Sequence, residues 1–119
     1  MLLGGAAEDE KNTRLVEKTG AGYLGHFSLS NFISLVNQCD MIVSAVTMGM
    51  HLAVALKKKL ILMNNIFNPF EFELYGRGEI VSPDKECTCF FSPKCKNEKY
   101  FCMEHLPVQK IFSAIERHI

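Results

Sequence analysis

Neither sign of charge prevails in this sequence: Lys plus Arg number 13, and so do Asp plus Glu. That balance provides no electrostatic footprint for DNA or RNA, nor for an anionic membrane surface. Any bound anion must be held locally, by backbone amides or by one or two side chains. No window is long and apolar enough to span a bilayer, so no transmembrane segment is expected. The start, "MLLGGAAEDE", lacks both a basic stretch and a full apolar stretch, which argues against a secretory signal. Five cysteines without such a signal predict a reducing, cytoplasmic setting. Internal repeats and low-complexity stretches are also lacking.

What remains is one domain's worth of chain, 119 residues, with 48% hydrophobic residues to form a core. "MLLGG" reads as the tail of a strand with no room for a loop before it, which predicts a fragment of a longer protein. "EDEKNTRLVEKTG" reads as a helix with acids in its first turn and Gly20 as its stop. "GYLG", residues 22–25, reads as a short strand. Ser28 is an N-cap for a helix whose Leu29, Phe32, Ile33 and Val36 form an apolar stripe. "DMIVSAV" (40–46) and "KLILM" (59–63) read as buried strands around a short helix, 49–57. Continuous apolar strands alternating with helices predict an α/β, Rossmann-like fold: a parallel sheet with helices on both faces. A long aromatic loop, "NNIFNPFEFELYGRG", leads to a strand in "EIVSP", and "PVQKIFSAIERHI" forms a last amphipathic helix with Pro107 in its first turn. The expected organisation is a core over residues 1–83, a cysteine-containing loop over 84–106 and a C-terminal helix over 107–119.

His51 sits in an otherwise apolar run, "SAVTMGMHLAVALKKKLILMN". Two explanations stand. The ring is a hydrogen-bonded core histidine, or it touches a ligand where a strand turns into a helix. In open parallel sheets ligands bind beyond the carboxyl ends of the strands, and free amides at a helix N-terminus hold phosphate. Thr47 offers a hydroxyl there, Gly49 a close backbone approach and His51 a ring N–H.

The stretch "DMIVSAVTMGMHLAVALKKKLILMNNIFNPFEFELYG" resembles the C-terminal nucleotide-sugar domain of family 9 glycosyltransferases, the ADP-heptose:lipopolysaccharide heptosyltransferase group. Thr47, His51, Ala53, Ala55 and Leu56 match that family's strand–turn–helix, and Asn68-Pro69 and Tyr75-Gly76 match its following loop. "LLGGAAEDEKN", "YLGHFSLSNFISLVNQCD" and "CMEHLPVQKIFSAI" are similar to further family segments, so the resemblance covers nearly the whole chain.

The resemblance implies one half of a GT-B architecture, the half that holds the donor. Thr47, Met48, Gly49 and His51 would face the diphosphate, Glu8 the ribose, and Gly25, His26 and Phe27 the base. Glu8 has the alternative of a solvated first-turn acid, and Phe27 that of a hydrophobic staple. The expected donor is an ADP-sugar, ADP-heptose in the parent reaction, and the acceptor a bacterial lipopolysaccharide core or similar glycan. No metal is required if amides and His51 carry the diphosphate charge. The acceptor domain and its general base have no counterpart here, so no catalytic residue is expected and the chain by itself binds without transferring. A surface normally covered by that domain could support a homodimer. Val46 stands where the family often has Asp, and Met48 where it often has Gly. These departures keep a non-catalytic, degenerate relative open as an alternative.

Cys87, Cys89, Cys95 and Cys102 are spaced C-x-C-x5-C-x6-C. Reduced, packed cysteines are one explanation. A tetrahedral zinc site, making the chain a zinc-stabilised binding module, is another. Cys39 is expected to be inert, and Lys57, Lys58 and Lys59 to complement the end of the short helix.

Overall fold

Leu60, Ile61 and Leu62 are all shut off from solvent, and this run sets the architecture around it. It is the middle of β2 (Lys59–Met63), flanked by β1 (Met41–Ala45) and β3 (Gly78–Val81) in a parallel three-stranded sheet of order β1-β2-β3. The register pairs Met41 with Lys59 and Leu60 with Gly78. Successive side chains of a strand point to opposite faces, so the central strand must be apolar throughout. Leu60 and Leu62 meet Met50 and Ala53 of α3 (Met48–Ala55) on one face. Ile61 and Val81 meet Ala114 of α4 (Val108–His118) on the other, with Ile111 and Ile115 packed beside them. The expected α/β arrangement, a Rossmann-like parallel sheet covered on both faces, is therefore present.

The computed structural model describes residues 1–92 and 94–119. They form two compact units, Met1–Gln38 and Cys39–Ile119, the sheet lying in the second. Among the described residues no helix is long and apolar enough to cross a membrane.

In the first unit, a 3-10 turn (Ala6–Glu8) leads into α1 (Asp9–Thr19), and α2 spans Leu29–Gln38. Gly20 ends α1 in the left-handed conformation, φ 68°, its N–H bonding the Val16 carbonyl. Ser28 caps α2 as expected, its hydroxyl accepting from the Asn31 amide. The two short strands expected at 1–3 and 22–25 are not formed. A single backbone bond, Leu2 N–H to Gly22 O at 2.8 Å, joins them, and Gly25 turns left-handed at φ 88°. One bond is not a ladder, and short apolar runs between glycines do not by themselves make a sheet.

The ends of α3 and α4 differ from expectation in informative ways. Pro107 stands at the N-cap of α4 with ψ 133°, one residue before the helix begins. α3 stops at Ala55, and the Lys58 and Lys57 amides fold back onto the Ala53 and Val54 carbonyls. That double bond pattern is a Schellman closure with Lys57 left-handed at φ 57°, where glycine is usual. The Arg117 guanidinium holds the Glu79 carboxylate with both nitrogens, at 2.7 and 3.1 Å, tying α4 to β3. This pairing keeps the Glu79 carboxyl below its ordinary range and raises Arg117.

Candidate functional site

Parallel strands bring all their carboxyl ends to one edge of the sheet, and the chain leaves β1 there through Val46 and Thr47 into α3. Thr47 is the N-cap, in extended conformation, and its carbonyl accepts the Met50 amide at 3.1 Å and the His51 amide at 3.4 Å. The Met48 and Gly49 amides precede any acceptor within the helix, so their N–H bonds are directed outward from its first turn. The Thr47 hydroxyl does not cap the helix. It lies 3.1 Å from the Ser44 hydroxyl, whose own proton goes to the Ala45 carbonyl, so Thr47 donates to Ser44.

His51 is exposed, which sets aside the core-histidine explanation for its place in the sequence. Met48 is 54% exposed and extends outward instead of filling the turn. At Gly49 an added Cβ would stand 3.5 Å from both Ser44 Oγ and Thr47 Oγ1, an ordinary contact. Glycine is therefore not demanded there by the fold. Its effect is to leave open the surface over the two hydroxyls. Val46 is half-buried and packs on the Met50–Leu62 cluster, so this position serves the core.

The asparagines of the following loop already have partners within the protein. Asn64 is buried, accepts the Phe67 amide and donates to the Phe67 carbonyl. Asn68 caps the 3-10 turn Pro69–Glu71 through the Phe70 amide, and Asn65 donates to Cys102 Sγ at 3.7 Å. Tyr75 and Arg77 pair with each other, the guanidinium 5.2 Å from the ring centre.

The remaining candidates belong to the first unit. Glu8 closes a reciprocal cap with Gly5: its carboxylate accepts the Gly5 amide at 2.9 Å, and its own amide bonds the Gly5 carbonyl. The carboxylate is exposed, so its second oxygen is open to a hydroxyl donor. Gly4 is required beside it, because an added Cβ would come within 2.8 Å of Asn12 Nδ2 and of Glu8 Cβ. His26 Nδ1 lies 3.3 Å from Asp9 Oδ1, which also accepts the Tyr23 hydroxyl at 2.7 Å. The Tyr23 bond and then His26 hold the Asp9 carboxyl below its ordinary value. Burial, and next the Asp9 carboxylate, push Tyr23 above its own. Phe27 is 42% exposed and follows the left-handed Gly25. Asp9 and Tyr23 were not singled out from the sequence. The only signal was an acid at a helix start, and a tyrosine 14 residues on carries no pattern linking it to that acid.

No curated protein and no solved structure matches the chain. The family model of glycosyltransferase family 9 (heptosyltransferase) matches residues 1–101. Together with the parallel sheet and the turn at its carboxyl edge, that match makes the chain a member of glycosyltransferase family 9.

Proposed function

We propose that the chain binds a nucleotide-diphosphate sugar, ADP-heptose, as the donor-holding part of a glycosyltransferase whose acceptor is a lipopolysaccharide core or similar glycan. The supporting observation is the start of α3: outward amides at Met48 and Gly49, an open surface over Ser44 and Thr47, and an exposed imidazole at His51. A diphosphate would accept hydrogen bonds from the two amides and lie along the positive end of the helix. His51, one turn in, would add a ring N–H. The first unit's candidates, Glu8, Gly25, His26 and Phe27, are each open to test by their own substitution.

Transfer also needs a carboxylate within reach of the acceptor hydroxyl. The proposal places that general base in the acceptor-binding half of the architecture, so this chain holds donor without transferring it. Calorimetric titration with ADP, UDP, GDP and ADP-heptose tests the proposal. Selective binding of the adenine compounds, weakened about tenfold by His51→Ala, agrees with loss of one charge-assisted bond of ~1.4 kcal/mol. Because Val46 lies in the core, a degenerate domain without donor binding is the competing interpretation, and flat titrations with all four compounds would favour it.

A further inference from the structure

Between β3 and α4 the packing is inverted. Phe90, Phe91 and Phe101 are 69, 56 and 49% exposed, whereas Cys89 and Cys102 are buried at 5 and 4%. A segment held by the hydrophobic effect would bury its phenylalanines first. Among the described residues from 82 to 107, the only regular element is a 3-10 turn, Cys102–His105. An edge contact of Phe91 with Phe67 and hydrogen bonds such as Tyr100 Oη to the Glu86 carbonyl hold parts of it, but Cys89 and Cys102 are the most buried of these residues.

Cys87, Cys89, Cys95 and Cys102 all wall one crevice that has no room for a water molecule. Two of the thiols stand close together, Cys89 Sγ lying 4.0 Å from Cys95 Sγ. Sulfurs on a tetrahedral zinc, each about 2.3 Å from the metal, stand ~3.8 Å apart. A disulfide needs about 2.05 Å. The Lys96 amide donates to Cys89 Sγ at 3.2 Å and the Asn65 side chain to Cys102 Sγ at 3.7 Å, bonds that support a thiolate ligand from outside. Phe90 and Phe91 are left-handed, φ 35° and 59°, between the second and third cysteines. Two such residues in succession are strained, and a crosslink on either side of them would hold the strain.

We propose that these four cysteines bind one zinc ion, which staples the segment between β3 and α4. Among the described residues no three ligating side chains yet surround one point as a bound ion would have them. Binding requires the four Cys side chains to rotate onto a common point. Each thiol gives its proton to water as it ligates, and four sulfurs leave no coordination position for water or substrate. The ion is thus structural.

The test uses the full chain, purified under reducing conditions from zinc-supplemented medium, with metal measured by mass spectrometry. One zinc per chain is expected for the wild type and for Cys39→Ser. Cys95→Ser, an exposed position, and Cys89→Ser should each lose it. Cobalt added to the metal-free chain should give the thiolate charge-transfer and visible bands of a tetrahedral tetrathiolate. Folded wild type without zinc would overturn the proposal. So would zinc retained after all four cysteines are replaced by serine, or an intact mass showing disulfides under these conditions.

Discussion

The Thr47 hydroxyl donates to Ser44 at 3.1 Å and leaves its own helix without a side-chain cap. A threonine that truly caps a helix contributes about 1 kcal/mol. Thr47→Ala should therefore cost less than about 0.5 kcal/mol in chemical denaturation, because no cap is lost. The same variant should weaken nucleotide binding in titration calorimetry, and Thr47→Ser should restore it.

Gly49 separates folding from binding. An alanine there keeps an ordinary 3.5 Å distance to Ser44 and Thr47 and removes a glycine from the first turn of α3. Gly49→Ala should stabilise the protein modestly, by up to about 0.5 kcal/mol. The new methyl group would also stand over the two hydroxyls and obstruct a diphosphate. Higher thermal stability with lower nucleotide affinity is the expected pair of results, read by thermal denaturation and titration calorimetry.

Gly78 has the opposite character. An added Cβ would fall 1.9 Å from the Leu60 carbonyl oxygen, a backbone atom of the buried central strand that cannot move aside. Gly78→Ala should cost at least about 3 kcal/mol and spoil the pairing of β2 with β3. Loss of cooperative unfolding by circular dichroism is the readout.

Lys57 adopts φ 57° in the closure of α3. An L-residue in this conformation is strained by about 1–2 kcal/mol, part of which glycine returns as entropy lost on folding. Lys57→Gly should raise stability by about 0.5–1 kcal/mol, measured by denaturant midpoint at unchanged slope.

The Glu79–Arg117 pair sets a pH dependence. Arg117 lowers the folded carboxyl from its ordinary value of 4.5, so the pair's contribution is fully present above that value. It is lost as pH falls through the lower folded value. The melting-temperature gap between wild type and Glu79→Gln should be constant near neutrality and narrow below pH 4.5.

Much of the second unit was legible in the sequence because its elements carry local signals. The apolar run Lys59–Met63 is a strand with the expected bounds, since a central strand covered on both faces has no polar side to show. The turn at Thr47–His51 was legible because a strand, a small residue and a helix follow one another within a few positions. Legibility failed where structure depends on distant partners. The Asp9–Tyr23 bond, for example, spans 14 residues. The helix end at Lys57 was hidden because lysine occupies a position that glycine would have announced. Leu29, Val108 and Phe112 fit an apolar stripe by spacing yet stay exposed, since periodicity names a face without saying how much of it is covered.

The donor site is tested most directly by amide chemical shifts during titration of the chain with ADP. The predicted result is saturable movement centred on the Met48, Gly49 and Met50 amides and the His51 ring, absent with adenosine, which lacks the diphosphate. Unmoved signals at these positions with saturating ADP, or a response confined to residues elsewhere, would contradict the account.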